Sequence, residues 1–310
     1  MKIHRIGFGK LSQLDVRLLR MFMVIVESGG FSQAQAQLNM AASTMSTRMA
    51  DLEMRFGVKL CHRGRGGFRL TERGEVIYAE ARKLFSSIDH FENAVAEVRG
   101  QMIGELRIAI MDNSVLDPEM QLPKSIHHFI GLYPDVHIGI EVLPPEEIES
   151  AILDGRADIG VGVFKETSRQ LACVSEFSDV LELYCGQSHP LFASAPDKVT
   201  VEQVSSVAYA EGVYLSEKEF LAKREAKAIA RLSQPTATAR QAEGLGYLIL
   251  SGRYIGFLPK RYAATWVERG MMLPLLPDDY SQQAHFKVLI RRGESRTDLL
   301  KSFIDALAVA

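Results

Sequence analysis

From Gln35 to Thr47, in QAQLNMAASTMST, no side chain carries a charge, and the first basic residue after that run is Arg48. Met45, Met49 and Leu52 recur at i, i+4 and i+7, an inward helical stripe. That stripe places Ser43, Thr44, Thr47 and Arg48 on the opposite face, with Ser46 beside them, and hydroxyls of this number do not suit a core. They suit a groove lined with phosphates. Small side chains let a helix sink in, hydroxyls bond base edges or phosphate oxygens, and an acidic group there would be repelled. Further on, KLCHRGRGGFRLTERG carries Arg63, Arg65 and Arg69 around a glycine-rich turn between Leu60 and Phe68-Leu70. This is the pattern of a β-hairpin wing, whose arginines fix register on phosphates or enter the neighbouring minor groove. The chemistry expected is recognition of double-stranded DNA, with no bond made or broken.

The charge distribution supports the same partner. Residues 1–70 hold eleven Lys and Arg against four Asp and Glu, a net of +7, whereas the rest of the 310-residue chain is net −9. A basic head on an acidic body is the layout of a nucleic-acid reader with a regulatory part. Other classes find little support. The three cysteines, Cys61, Cys173 and Cys185, show no paired spacing for zinc or a disulfide framework. His127 and His128 are adjacent and would point to different faces of a helix. No HExxH, GxSxG, GxGxxG or phosphate-loop lysine motif occurs, so no catalytic residue, metal or cofactor is expected, and the chain reads as a non-enzyme. The apolar run MFMVIV, residues 21–26, is too short for a membrane span or a signal peptide, so a cytoplasmic protein without a membrane partner is expected.

The elements that must position these residues follow from periodicity. Leu14, Leu18, Met21, Phe22, Ile25 and Val26 form one face of a first helix ending at Gly29-Gly30; a short second helix covers Ser32–Leu38, and Asn39 turns the chain. The third helix, about 42–55, carries the hydroxyl face, so the first seventy residues read as a winged helix-turn-helix. Thr71 is the expected N-cap of the next helix, in which Ile77, Ala81, Leu84, Ile88, Phe91, Val95 and Val98 alternate spacings of four and three. Such a stripe over three heptads predicts a dimerising rod across residues 71–100 and a homodimer or homotetramer.

From residue 105 short apolar runs alternate with helical ones. LRIAIM, a helix from Pro118 to Tyr133, HIGIEVL, a helix from Glu146 to Asp154 and ADIGVGVF predict a β-α-β-α-β unit with a parallel sheet. LELYCG, VAYAEGVY, a helix over Ser216–Ala230, TATARQAEGLGYLILSG and YIGFLP form a second unit, and MLPLL, HFKVLIRR and a helix over Arg296–Leu307 are expected to return to the first. The lobes are therefore about 105–164 with 271–310, and about 165–270. The cleft between two such lobes is the default place for a small-molecule effector. By position Asp112, Asn113, Ser114, Phe164, Thr236 and Thr238 line it, the threonines opening a helix. Helix N-termini favour a carboxylate ligand. Asp112 would accept an amino group, as of an amino acid, or simply cap a helix. Cys173 and Cys185 raise the alternative of a thiol redox sensor, although neighbours such as Leu183 and Val174 suggest buried structural cysteines. A cytosolic binding protein or an enzyme on the same lobes is a further alternative.

The stretch from Leu14 to Phe85 resembles the DNA-binding domain of LysR-type transcriptional regulators, through GGFSQAQAQLNM, STMSTRMADLE, FGVKL, HRGRGG and RLTERG. At the start of the recognition helix the family's usual Ser-Gln-Pro-Ala-Val-Ser stands here as Ala41 to Ser46, with the last Ser kept, and Gln35 replaces a small Ala. The body resembles the family's effector domain through YPDV, LDGRADIGV, HPL, EGLGY and IGFLP, in that order. The resemblance implies a winged helix-turn-helix head, a linker helix that dimerises, and a two-lobed α/β effector domain with the fold of periplasmic binding proteins. Its implied partners are double-stranded DNA and a small effector that alters operator binding.

Overall fold

A computed structural model describes residues 10–63, 67–99, 102–112, 114, 122–164, 167–193, 199–212, 232, 234–293 and 298–309. The chain divides into two units, Met1–Phe91 and Glu92–Ala310.

In the first unit α1 (Gln13–Glu27) opens with a capping box: Ser12 Oγ accepts from the Asp15 backbone nitrogen at 3.2 Å, and the Asp15 carboxylate accepts from that of Ser12 at 2.8 Å. The box turns Asp15 inward, where Arg55 Nε meets it at 3.3 Å, and shifts the apolar face from the one expected. Leu14 is 63% exposed, and Leu19 is buried in its place beside Leu18, Met21, Phe22 and Ile25. Helix α2 (Phe31–Leu38) ends at Asn39, which takes the left-handed conformation at φ 48°. Helix α3 (Ala42–Phe56) buries Met45, Met49 and Leu52 completely, as their spacing predicts.

Strands β1 (Cys61–His62) and β2 (Arg69–Leu70) pair antiparallel into the wing, and α4 (Glu72–Val98) follows. Thr71 is its N-cap: the hydroxyl accepts from the Gly74 nitrogen at 2.9 Å and donates to the Lys59 carbonyl at 2.6 Å. A Cβ on Gly74 would collide with the Leu60 carbonyl, so only glycine lets α4 start against the wing. The heptad stripe divides in two. Ala81 is buried and Ile77, Leu84 and Ile88 are half-buried against the head's own core, so this part is occupied within one chain. Phe91, Val95 and Val98 remain exposed, at 69%, 38% and 89%.

In the second unit β3 (Gly104–Ile110) lies parallel to both β4 (Val136–Val142) and β5 (Ile159–Val163), with α5 (Leu122–Leu132) and α6 (Pro145–Leu153) between them. This is the expected β-α-β-α-β unit; of the helix expected from Pro118, residues 118–121 lie outside the described residues. Gly160 makes room for α6, because a Cβ there would strike Ile148 and Ile152. Asp158 locks β5 to β3, accepting from the Arg107 backbone nitrogen at 2.8 Å and its guanidinium at 3.1 Å.

Strand β6 (Leu171–Gly186) is much longer than the expected LELYCG. Its first part is more polar and more exposed than its second and pairs antiparallel with β11 (Gln282–Arg291), which pairs in turn with β5. Its second part carries β9 (Ile255–Pro259) and β10 (Met272–Pro274). One seven-stranded sheet, ordered β10-β6-β11-β5-β3-β4 with β9 also on β6, therefore runs through both lobes. MLPLL does not return to the first lobe as expected, because Met272–Pro274 pairs with Tyr184–Gly186 at the far end of β6. After a short α10 (Pro277–Tyr280), β11 and α11 (Asp298–Val309) do return; Phe303 of α11 packs edge-on against Phe129 of α5 at 5.2 Å.

The second lobe adds α7 (Val201–Ser205), a parallel pair of β7 (Ala210–Gly212) and β8 (Ala237–Ala239), α8 (Ala242–Leu250) and α9 (Lys260–Glu268), the last not expected from the sequence. Thr236 to Thr238 do not open a helix. The TATA stretch favours extended backbone through its β-branched threonines and finds Ala210–Gly212 as partner, so the helix begins later, at Ala242. The helix expected over Ser216–Ala230 lies outside the described residues.

Replacing Gly74 by Ala is expected to destabilise the head by about 1–3 kcal/mol, as overpacking against backbone does. Chemical denaturation followed by circular dichroism checks this; an unchanged midpoint would show that α4 does not need the close approach.

Candidate functional site

The face of α3 is arranged as its spacing requires. Ser43, Thr44, Thr47 and Arg48 are exposed and Ser46 is half-buried, opposite the buried Met45 and Met49. Ala41, at the N-cap, offers no side-chain bond. Gln35 of α2 supplies it: its Oε1 accepts from the Ala42 nitrogen at 3.2 Å, so a residue of the preceding helix satisfies one of the free donors of α3.

Arg63 is held by partners within the head. Its guanidinium donates to the Ser46 carbonyl at 2.8 Å, to Ser46 Oγ at 2.9 Å and to the Glu53 carboxylate at 2.8 Å, and it lies over the Phe31 ring. It braces the wing against α3. Ser46 is drawn into the same brace. Arg65 lies outside the described residues. Arg69 is exposed and sits opposite His62 across the wing, and with Lys59, Thr71, Arg73 and a single carboxylate, Glu72, it lines a shallow, net basic hollow of about 590 Å³. The hollow was not anticipated, although the run of Lys59, His62, Arg69 and Arg73 was there to suggest it.

In the body the structure brings one expected effector residue to a cleft. Asp112, just beyond β3, reaches the other lobe, where its Oδ2 accepts from the Ala242 nitrogen at 2.6 Å and caps α8. The capping role considered for Asp112 is thus real, but the helix belongs to the opposite lobe. Arg240 adds a second tie across the cleft, 2.7 Å from Glu146. Beside Asp112 opens a cavity of about 520 Å³, walled by Val142 of β4, Glu243 and Tyr247 of α8, and Tyr262 and Trp266 of α9. The other expected residues lie elsewhere. Ser114 is buried with its hydroxyl donated to the Met111 carbonyl at 2.8 Å. Phe164 is part of the core, and Thr236 and Thr238 are exposed at β8. Asn113 lies outside the described residues. The i, i+4 spacing of Tyr262 and Trp266 signalled a shared aromatic face, but nothing local linked it to Asp112.

The thiols do not form a redox pair. Cys173 and Cys185 lie on the same strand, β6, twelve residues apart. Extended chain places them roughly 40 Å from each other, far beyond disulfide reach. Cys185 is buried, which pushes its thiol up to about 12. Cys173 is exposed, contrary to its apolar neighbours, and partial desolvation with Glu176 beside it raises its pKa too. Neither has the lowered pKa of a sensor.

Two family profiles match the chain: "Bacterial regulatory helix-turn-helix protein, lysR family" over residues 16–75, and "LysR substrate binding domain" over residues 99–310. The chain belongs to the LysR family. It is a transcriptional regulator with a DNA-binding head and an effector-binding body. Among relatives, the HTH-type transcriptional activator BauR of Pseudomonas aeruginosa is 35% identical over 304 residues, 98% of each chain. The probable regulator LrrA of Synechococcus elongatus is 27% identical, over 86% of this chain and 84% of its own. The crystal structure of full-length CbnR complexed with its target DNA shares the LysR fold at a TM-score of 0.63 and 16% identity, covering 95% of this chain and 98% of that one.

Gln35→Ala should cost about 0.5–2 kcal/mol through loss of the α3 cap, measured as a shift of the denaturation midpoint. An unchanged midpoint would remove the capping role. In the native protein, Ellman's reagent at pH 8 should label Cys173 and leave Cys61 and Cys185 unmodified; rapid labelling of all three would contradict the burial described.

Proposed function

We propose that α3 lies in the major groove of double-stranded DNA, with Ser43, Thr44, Thr47 and Arg48 towards bases and phosphates. The observation that carries this reading is the uncharged hydroxyl face, exposed opposite a fully buried stripe and followed by Arg48. Arg69, with Arg65 and the basic hollow behind the wing, neutralises phosphates, while Arg63 and Ser46 hold wing and helix in register. The working division is a head over 1–70, a linker helix over 71–100 and an effector domain over 105–310. The exposed Phe91, Val95 and Val98 continue the heptad spacing beyond the head and pair two copies, so that two recognition helices meet half-sites about one DNA turn apart.

The body binds a small effector where β3 and β4 end and α8 begins. A ligand that binds one lobe arrangement better than another shifts the regulator between its states. The protein works in the cytoplasm beside the chromosome and catalyses no reaction. Among the described residues no group of three metal-ligating side chains forms, and no helix is long and apolar enough to cross a membrane.

Fluorescence anisotropy with duplex fragments of the native genome tests the head. Affinity should fall steeply with salt, and Arg48→Ala and Arg69→Ala should each lessen the slope by roughly one unit. A flat salt response would overturn the assignment. Phe91→Glu combined with Val98→Glu should move the sedimenting species towards monomer and weaken operator binding; an unchanged assembly would refute the seam.

A further inference from the structure

The cavity between β4, α8 and α9 has a composition that selects a charge type. Among the described residues its lining carries two carboxylates, Asp112 and Glu243, and no lysine or arginine. Among the described residues, Arg240 and Lys260, which adjoin α8 and α9, are engaged with other carboxylates: Arg240 with Glu146 at 2.7 Å, and Lys260 with the buried Glu182 at 2.8 Å. The N-terminus of α8, the feature that would attract an anion, already holds the Asp112 carboxylate at 2.6 Å from the Ala242 nitrogen. An anionic ligand would have to displace Asp112 and then face Glu243.

Three aromatic rings stand in the wall beside Val142 and Leu250. Tyr262 and Trp266 stand one turn apart on α9 with ring centroids 4.7 Å apart and tilted by 52°, and Tyr247 projects from α8 at 72% exposure. Aromatic faces beside carboxylates are the surroundings that recognise an organic ammonium, whose positive head meets ring faces and carboxylate oxygens together. The local field agrees: burial, with Glu243, Asp112 and Tyr247 adding to it, pushes the Tyr262 phenol up to about 12, so the hydroxyl stays neutral.

We propose that this cavity binds an organic cation, an alkylammonium group with a short apolar body, its head between Glu243 and Asp112 and its body on Tyr262 and Trp266. The inference rests on the reading of the body as the effector-binding part and names the class of ligand. Because Asp112 and Val142 belong to one lobe and α8 and α9 to the other, an occupant touches both and acts on the Asp112–Ala242 tie.

Trp266 is the chain's single tryptophan, so its emission reports on the site directly. The full-length protein is titrated with n-pentylammonium, with pentan-1-ol and n-hexanoate as neutral and anionic counterparts. The expected result is a saturable change in emission with the ammonium alone. Glu243→Gln, at an exposed position, should weaken it by roughly tenfold or more. Tyr262→Phe should retain binding and Tyr262→Leu should lose it. An equal or stronger response to hexanoate, indifference to Glu243→Gln, or no saturable response to the ammonium would each overturn the proposal. Anisotropy of a bound duplex in the same samples separates it from the regulatory reading. A saturated Trp266 signal with unchanged DNA affinity keeps this site and removes its regulatory role. Altered DNA affinity under hexanoate with a silent Trp266 keeps the effector reading and discards this site.

Discussion

The carboxylate of Glu53 accepts from the backbone nitrogens of Leu60 at 2.9 Å and Cys61 at 3.3 Å and from the guanidinium of Arg63 at 2.8 Å. One acidic group on the recognition helix thereby fixes the strand that begins the wing. Arg63 returns the connection through both polar atoms of Ser46, and its plane covers Phe31 of the second helix. Charge-assisted bonds of this kind are directional as well as strong. On the proposed reading, a helix in one groove and a wing on the neighbouring phosphates need a constant spacing, and this brace holds α3 and the wing together. Glu53 lies two turns beyond the hydroxyl face, so its negative charge is neutralised by Arg63 and kept away from that face.

A similar economy governs the body. Strands β6 and β11 run antiparallel along most of their length and carry the sheet from one lobe into the other. Two polar ties also join the lobes at the cleft, Asp112 to the start of α8 and Arg240 to Glu146. Both are exchangeable for ligand contacts. A carboxylate at a helix N-terminus contributes of the order of 1 kcal/mol, small enough for a bound effector to offset.

The division of the heptad stripe has a parallel logic. A long helix leaving a small domain has to cover that domain's core before it can offer a seam to anything else. Ala81 and Phe85 are buried in the head, and Ile77, Leu84 and Ile88 lean on it. The apolar residues free to meet a second copy therefore begin near Phe91. The same regular spacing serves two purposes in succession, and spacing alone does not tell where one ends.

The sequence by itself determined the local features: the buried stripe and hydroxyl face of α3, the left-handed turn at Asn39, the N-cap at Thr71 and the β-α-β-α-β order of the first lobe. Each depends on residues within a turn or two of one another, where side-chain period and backbone preference act directly. Tertiary structure alone decided the rest. It turned Arg63 inward to partners ten and seventeen residues away, and placed Asp112 on a helix 130 residues further along the chain. It drew out β6 beyond its apolar half by giving it β11 as a partner, and kept Thr236 to Thr238 extended beside β7. Hydrogen-bond partners and sheet neighbours are chosen in space, by whichever unsatisfied group arrives at the right distance, and no local pattern encodes that arrival.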